Sequence, residues 1–124
     1  MREQQLQTKV IHALKEQGAW VFNPLAGAGG AGIPDLLVGY AGYLIAMELK
    51  GPDGSYKPTF VQKQQLDHIT RTGNIGAIVQ SVDFALGILD ALDRGDTDWI
   101  YTHGYKSHGK EEMLNDAWLE ECLW

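Results

Sequence analysis

The sequence predicts an α/β fold in which a mixed β-sheet is flanked by helices. Three observations lead there. Leu6, Val10, Ile11 and Leu14 recur at helical spacing near the start of the chain. Short runs rich in β-branched and aromatic residues follow, bounded by glycine and proline. Helical and strand patterns then alternate as far as Gly95.

The elements follow in order. Residues 3–17 form the first helix, and Gly18 stops it. Residues 19–22, Ala-Trp-Val-Phe, read as a strand, and residues 23–32 as a glycine-rich loop. Residues 35–40 and 43–50 read as two strands joined by a tight turn at Ala41-Gly42, an antiparallel hairpin. After a loop at residues 51–58, Thr59-x-x-Gln62 opens a helix as a capping box, and Gly73 closes it. Residues 75–79 form a further strand. Ser81 caps a helix from Val82 to about Arg94, rich in apolar residues (Phe84, Leu86, Ile88, Leu89, Leu92). The order is α-β-β-β-α-β-α. Beyond Gly95 the pattern weakens. Trp99-Ile100-Tyr101 suggests a short strand, and residues 111–124 a terminal helix with Met113, Leu114, Trp118, Leu119 and Leu123 on a broad apolar face. That face suits packing onto the core or a subunit interface.

The 124 residues fit one domain. The first 15 residues are polar and periodic, unlike a signal peptide. The apolar runs around Leu36 and Ile78 are broken by Asp35, Glu48, Gln80 and Asp83, which argues against a membrane span. A single cysteine, Cys122, leaves no intrachain disulfide and suits a reducing cytoplasm. The net charge of −6 is unevenly spread. Residues 1–80 hold seven Lys/Arg against six Asp/Glu, a balance of +1, whereas residues 81–124 hold three against ten, a balance of −7. Phosphate contacts need local positive charge, so the front of the chain is the better place for them.

The chemistry concentrates in Pro34-Asp35 and Glu48-x-Lys50. Side chains alternate along a strand, so Glu48 and Lys50 share a face while Ile45, Met47 and Leu49 point to the core. In a hairpin turning at Ala41-Gly42, Asp35 lies across from Glu48. Two carboxylates with water or carbonyl oxygens suit Mg²⁺ or Mn²⁺, and a nearby ammonium suits the charge of a phosphate under attack. The plainer alternative is a strand end with a surface ion pair.

Gly32-Ile33-Pro34-Asp35-Leu36-Leu37-Val38, then Met47-Glu48-Leu49-Lys50-Gly51, then Thr59-x-x-Gln62 with Gly73 beyond, resemble the VRR-NUC branch of the PD-(D/E)XK nucleases. The resemblance covers residues 3–82 and is to stand-alone members of phage or bacterial type. It implies a restriction-endonuclease-like fold, with residues 1–95 as the nuclease core and 96–124 as an acidic extension on the core or at a dimer interface. The implied activity is Mg²⁺-dependent DNA endonuclease, with Mn²⁺ as substitute, acting as a homodimer on branched DNA such as Holliday junctions. The implied location is a bacterial cytoplasm, or a host's if phage-encoded.

The same resemblance implies that Asp35 and Glu48 bind metal, with the Leu49 carbonyl and Glu3 completing the site. Lys50 becomes the catalytic lysine and Gln62 the glutamine facing metal and phosphate. Gln62 also reads as only the capping partner of Thr59, with Gln65 as a fallback. Glu16 is the alternative acid on the first helix. Lys57, Lys63 and Arg71 are candidate DNA contacts or simply solvated side chains. Two other readings stay open: a restriction or repair nuclease on linear or damaged duplex, and a non-catalytic module binding DNA or protein.

Gly27-x-Gly29-x-x-Gly32 matches a dinucleotide-binding fingerprint by letter, but a proline and a strand follow where that motif needs a helix, so no nucleotide cofactor is expected. The histidines form no metal set. His12 lies beside the first helix's apolar stripe, and His68 on an exposed helix side. His103 and His108 fall in a Gly- and Tyr-rich loop, residues 101–110, suited to solvent, bases or phosphate.

Overall fold

Among the described residues, four strands form one sheet in the order β1-β2-β3-β4: β1 (Trp20–Phe22), β2 (Leu36–Tyr40), β3 (Tyr43–Leu49) and β4 (Ile75–Val79). The described helices are α1 (Glu3–Glu16), α2 (Phe60–Arg71), α3 (Val82–Arg94) and α4 (Thr97–His103). The structure, a computed structural model, describes residues 3–24, 32–51 and 59–104. Gly27 and Gly29, Lys57, and the C-terminal stretch with His108, the helix expected at residues 111–124 and Cys122 lie outside the described residues.

The first three strands run antiparallel and β4 runs parallel to β3, so the sheet is mixed as expected. A parallel neighbour cannot be reached by a tight turn, and α2 makes the crossover. The β2–β3 hairpin turns at Ala41 and Gly42, both with positive φ, 52° and 85°. That pattern belongs to the turns whose twist matches paired strands, and glycine takes it more readily than alanine. At the turn end, the Tyr40 hydroxyl donates to Asp93 Oδ2 at 2.7 Å, tying the hairpin to α3. That bond to a carboxylate holds the phenol's pKa above its usual value.

Alternation along the strands sorts the side chains into two sets. Leu36, Val38, Ile45, Met47, Leu49, Ile75, Ala77 and Val79 face one way, into a core with Leu6, Val10 and Leu14 of α1 and Ala85, Ile88, Leu89 and Leu92 of α3. The opposite face carries a smaller cluster of Ala46 and Ile78 with Leu66 of α2, and Leu37 and Ile69 partly buried beside it. The helix seats directly on β4. A Cβ added at Gly76 would come within 2.5 Å of the Leu66 carbonyl oxygen, so only glycine lets the backbones approach.

The tail of the described chain corrects two expectations. Residues 99–101 are not a strand, and residues 101–103 are not loop; both belong to α4. Asp96 caps that helix by accepting from Trp99 N, and the Trp99 ring stacks between Phe84 and His103. Gly87 of α3 leaves the room that the Trp99 ring occupies. A short apolar run does not by itself distinguish strand from helix, and packing against α3 decides.

Candidate active site

Asp35 is the residue just before β2. The register pairs Leu36 with Met47, so Asp35 falls opposite Glu48, with both side chains on the α2 face. Pro34, which is buried, fixes the chain's entry to the strand. The Asp35 carboxylate reaches across to β3, where its Oδ2 accepts from Leu49 N at 2.8 Å.

Glu48 is 3% exposed. A buried carboxylate costs free energy unless charge or hydrogen bonds compensate it. Two donors meet its Oε1: Gln62 Nε2 at 3.1 Å and Lys50 Nζ at 3.8 Å. The first is a hydrogen bond and the second an ion pair of longer reach. Lys50 itself is mostly buried, with its side chain 13% exposed. Its backbone is held at the sheet end, where Lys50 N donates to the Val79 carbonyl at 3.0 Å. Gln80 Nε2 then donates to the Gly51 carbonyl at 3.1 Å.

Gln62 is the capping partner of Thr59, and the same side chain also reaches Glu48. Its Oε1 accepts from Thr59 N at 2.9 Å, and its backbone N donates to Thr59 Oγ1 at 3.2 Å, which is a complete capping box. The other end of the same amide, Nε2, is the donor to Glu48. The cap thus fixes the amide's rotation, and the rotation aims Nε2 at the carboxylate. Gly32, at φ 80°, lies against the first turn of α2, and an added Cβ there would strike the Val61 side chain. The approach to Pro34-Asp35 and the start of α2 are therefore fitted to each other.

The other candidates are placed as follows. Glu3 opens α1, and its side chain lies outside the described residues. Leu49 meets Asp35 through its N–H. Lys63 and Gln65 are half-buried on α2. Arg71 ends that helix, nine residues beyond Gln62 and about 14 Å along the axis. Its Nε stands 3.7 Å from Oδ2 of the fully buried Asp67. Glu16, at the far end of α1, pairs with His12 at 2.9 Å. Gln80 was not anticipated; its one signal is a polar residue directly after an apolar strand. The sequence marks Trp20 and Phe22 only as strand residues, and both are exposed.

Among the described residues, no group of three or more acidic, histidine or cysteine side chains assembles as a metal site. The two carboxylates of Asp35 and Glu48, side by side on adjacent strands, nonetheless offer the hard oxygens that Mg²⁺ or Mn²⁺ take.

A mixed sheet in this order, flanked by helices, is consistent with a restriction-endonuclease-like fold, and it places an acid before β2 and Glu-x-Lys at the end of β3. A solved structure described as a "VRR_NUC domain" is similar, with a TM-score of 0.59 and 24% identity over 71% of this chain and 94% of that one. The likeness shows that the chain has that domain's fold. No family model matches the chain, and no curated protein matches it.

Proposed function

We propose that this chain is a metal-dependent nuclease of the VRR-NUC type that hydrolyses phosphodiester bonds in DNA. The observation that carries the reading is the convergence of Lys50 and Gln62 on the buried carboxylate of Glu48, beside Asp35. A buried acid, a lysine and an amide drawn from two elements do more than a surface ion pair requires.

Asp35 and Glu48 would hold a divalent cation, Mg²⁺ in the first instance, with the Leu49 carbonyl and Glu3 as further ligands. The ion, when bound, supplies charge neutralisation for the phosphate and a bound water of lowered pKa. The remaining work falls to the chain. Lys50 places positive charge where a phosphate would otherwise meet two carboxylates, and it offsets the negative charge that grows as water attacks phosphorus. Gln62, held by its cap, fixes the orientation of Glu48 and keeps Oε1 supplied with a donor. Burial of Glu48 limits its motion, so the oxygens are ready before substrate arrives.

The substrate we favour is branched DNA, a four-way junction above all, cut by a homodimer whose two sites match the junction's symmetry. Residues 1–95 form the catalytic core, residues 96–124 add to the core or the dimer contact, and the setting is cytoplasmic. Lys57, Lys63 and Arg71 are the candidate phosphate contacts, and of the two on α2, Lys63 is the nearer to Gln62 and Arg71 the farther.

The test is cutting of a four-way junction, a flap and a linear duplex, side by side, with Mg²⁺ and with Mn²⁺. The junction is expected to be cut fastest, and Lys50→Ala to cut none. Absence of wild-type cutting on every substrate overturns the enzyme reading. A sizing measurement that finds only monomer overturns the symmetric-junction reading.

A further inference from the structure

Among the described residues, the α2 face of the sheet is only partly covered. Helix α2 lies over β4 and the adjoining part of β3. Toward β1 the same face carries two large exposed rings, Trp20 at 60% and Phe22 at 49%. Their face is fixed by three facts. Val21, between them, packs into the opposite core. Trp20 pairs with Gly39 and Phe22 with Leu37, which lie on the face of Asp35. A Cβ added at Gly39 would touch the Trp20 side chain at 3.7 Å, so the ring lies over the glycine. The two ring planes are nearly parallel, 10° apart, with centroids 6.1 Å from each other.

We propose that Trp20 and Phe22 form a stacking platform for unpaired bases of the DNA strand whose phosphate sits at Asp35 and Glu48. The proposal rests on the nuclease reading for the position of that phosphate. Phe22 faces Leu37, two residues along β2 from Asp35 and one strand over, a separation of about 8 Å. That is about two nucleotide steps at the duplex rise of about 3.4 Å per strand, and fewer for a stretched strand. Trp20 lies about 7 Å further along β1, away from Asp35. One strand of DNA, fixed at the carboxylates, would therefore pass over both rings.

The platform's chemistry selects bases over phosphates. β1 and β2 carry no charged side chain, so this surface offers ring faces and no counter-charge. The counter-charge stands at the other end, in Lys50. A paired base has both faces occupied within the duplex, whereas an unpaired base can lay one on an aromatic ring. Gly39 beneath Trp20 adds no side chain to lift the ring off the sheet.

The test is binding, with no divalent cation present, of a single-stranded oligodeoxynucleotide carrying 2-aminopurine. Wild type is expected to quench the 2-aminopurine. Trp20→Ala and Phe22→Ala should each lower affinity about tenfold, in the range that one base–aromatic stack contributes. Trp20→Phe and Phe22→Tyr should restore most of it, and they keep the test valid if an alanine variant fails to fold. Equal binding by wild type and the alanine variants overturns the platform. So does an aromatic replacement that loses as much as alanine, or an alanine variant whose main change, by sedimentation, is dissociation of a dimer. Wild type that binds the probe through these rings but cuts no DNA overturns the nuclease reading and leaves the platform standing. Wild type that cuts DNA without quenching the probe overturns the platform alone.

Discussion

The two faces of the sheet are built from alternate residues of the same strands, yet they are specialised in opposite ways. On one face Leu36, Met47 and Leu49 are fully buried beneath α1 and α3. On the other, Asp35, Glu48 and Lys50 stand at the strand ends, with one helix over part of the face and exposed aromatic rings over the rest. The closed face has the size to hold the fold together. The open face has the smaller cluster and all the convergent polar groups. A period of two thus lets neighbouring residues such as Met47 and Glu48 serve the core and the proposed site separately.

Neighbouring substitutions can break that division. Glu48→Gln keeps the shape and is expected to lower DNA cutting by about 100- to 1,000-fold, the scale of removing one charge-stabilising group. Its unfolding midpoint in denaturant should stay near wild type or rise, because an amide is cheaper to bury than a carboxylate. Met47→Ala should do the reverse, costing about 2–5 kcal/mol by denaturant unfolding while the molecules still folded keep cutting. If Met47→Ala loses cutting at a temperature where it is folded, the faces are coupled and the division fails.

Two smaller changes sharpen the picture at the edges of the open face. Gly32→Ala meets both a positive φ and the Val61 side chain, and is expected to cost about 1–3 kcal/mol. Because it pushes on the turn that holds Gln62, its loss of cutting should exceed what its stability loss explains. Ala41→Asn, at φ 52° in the hairpin turn, lies away from the site. It should raise stability by up to about 1 kcal/mol and leave cutting unchanged.

Much of this arrangement was legible in the sequence because it rests on local rules. The turn at Ala41-Gly42 sets the hairpin register, and the register puts Asp35 opposite Glu48. The capping box at Thr59 set the start of α2 and so the height of Gln62. What escaped was tertiary. Nothing in Gln62 says that one amide both closes a cap and reaches Glu48; that depends on how α2 seats on Gly76. Helix α4 is not legible in its own sequence because Trp99 is placed by Phe84 and Gly87 of α3. The exposure of Trp20 and Phe22 was hidden because all three residues of β1 are apolar, and alternation cannot say which face a helix will cover.

The most direct test of the account is a cleavage assay of wild type, Glu48→Gln and Met47→Ala on branched DNA with Mg²⁺ or Mn²⁺, under conditions where all three are folded. The predicted result is metal-dependent cutting by wild type and by Met47→Ala, and its loss in Glu48→Gln. A wild type that leaves the DNA intact, or a Glu48→Gln protein that cuts as fast as wild type, would contradict it.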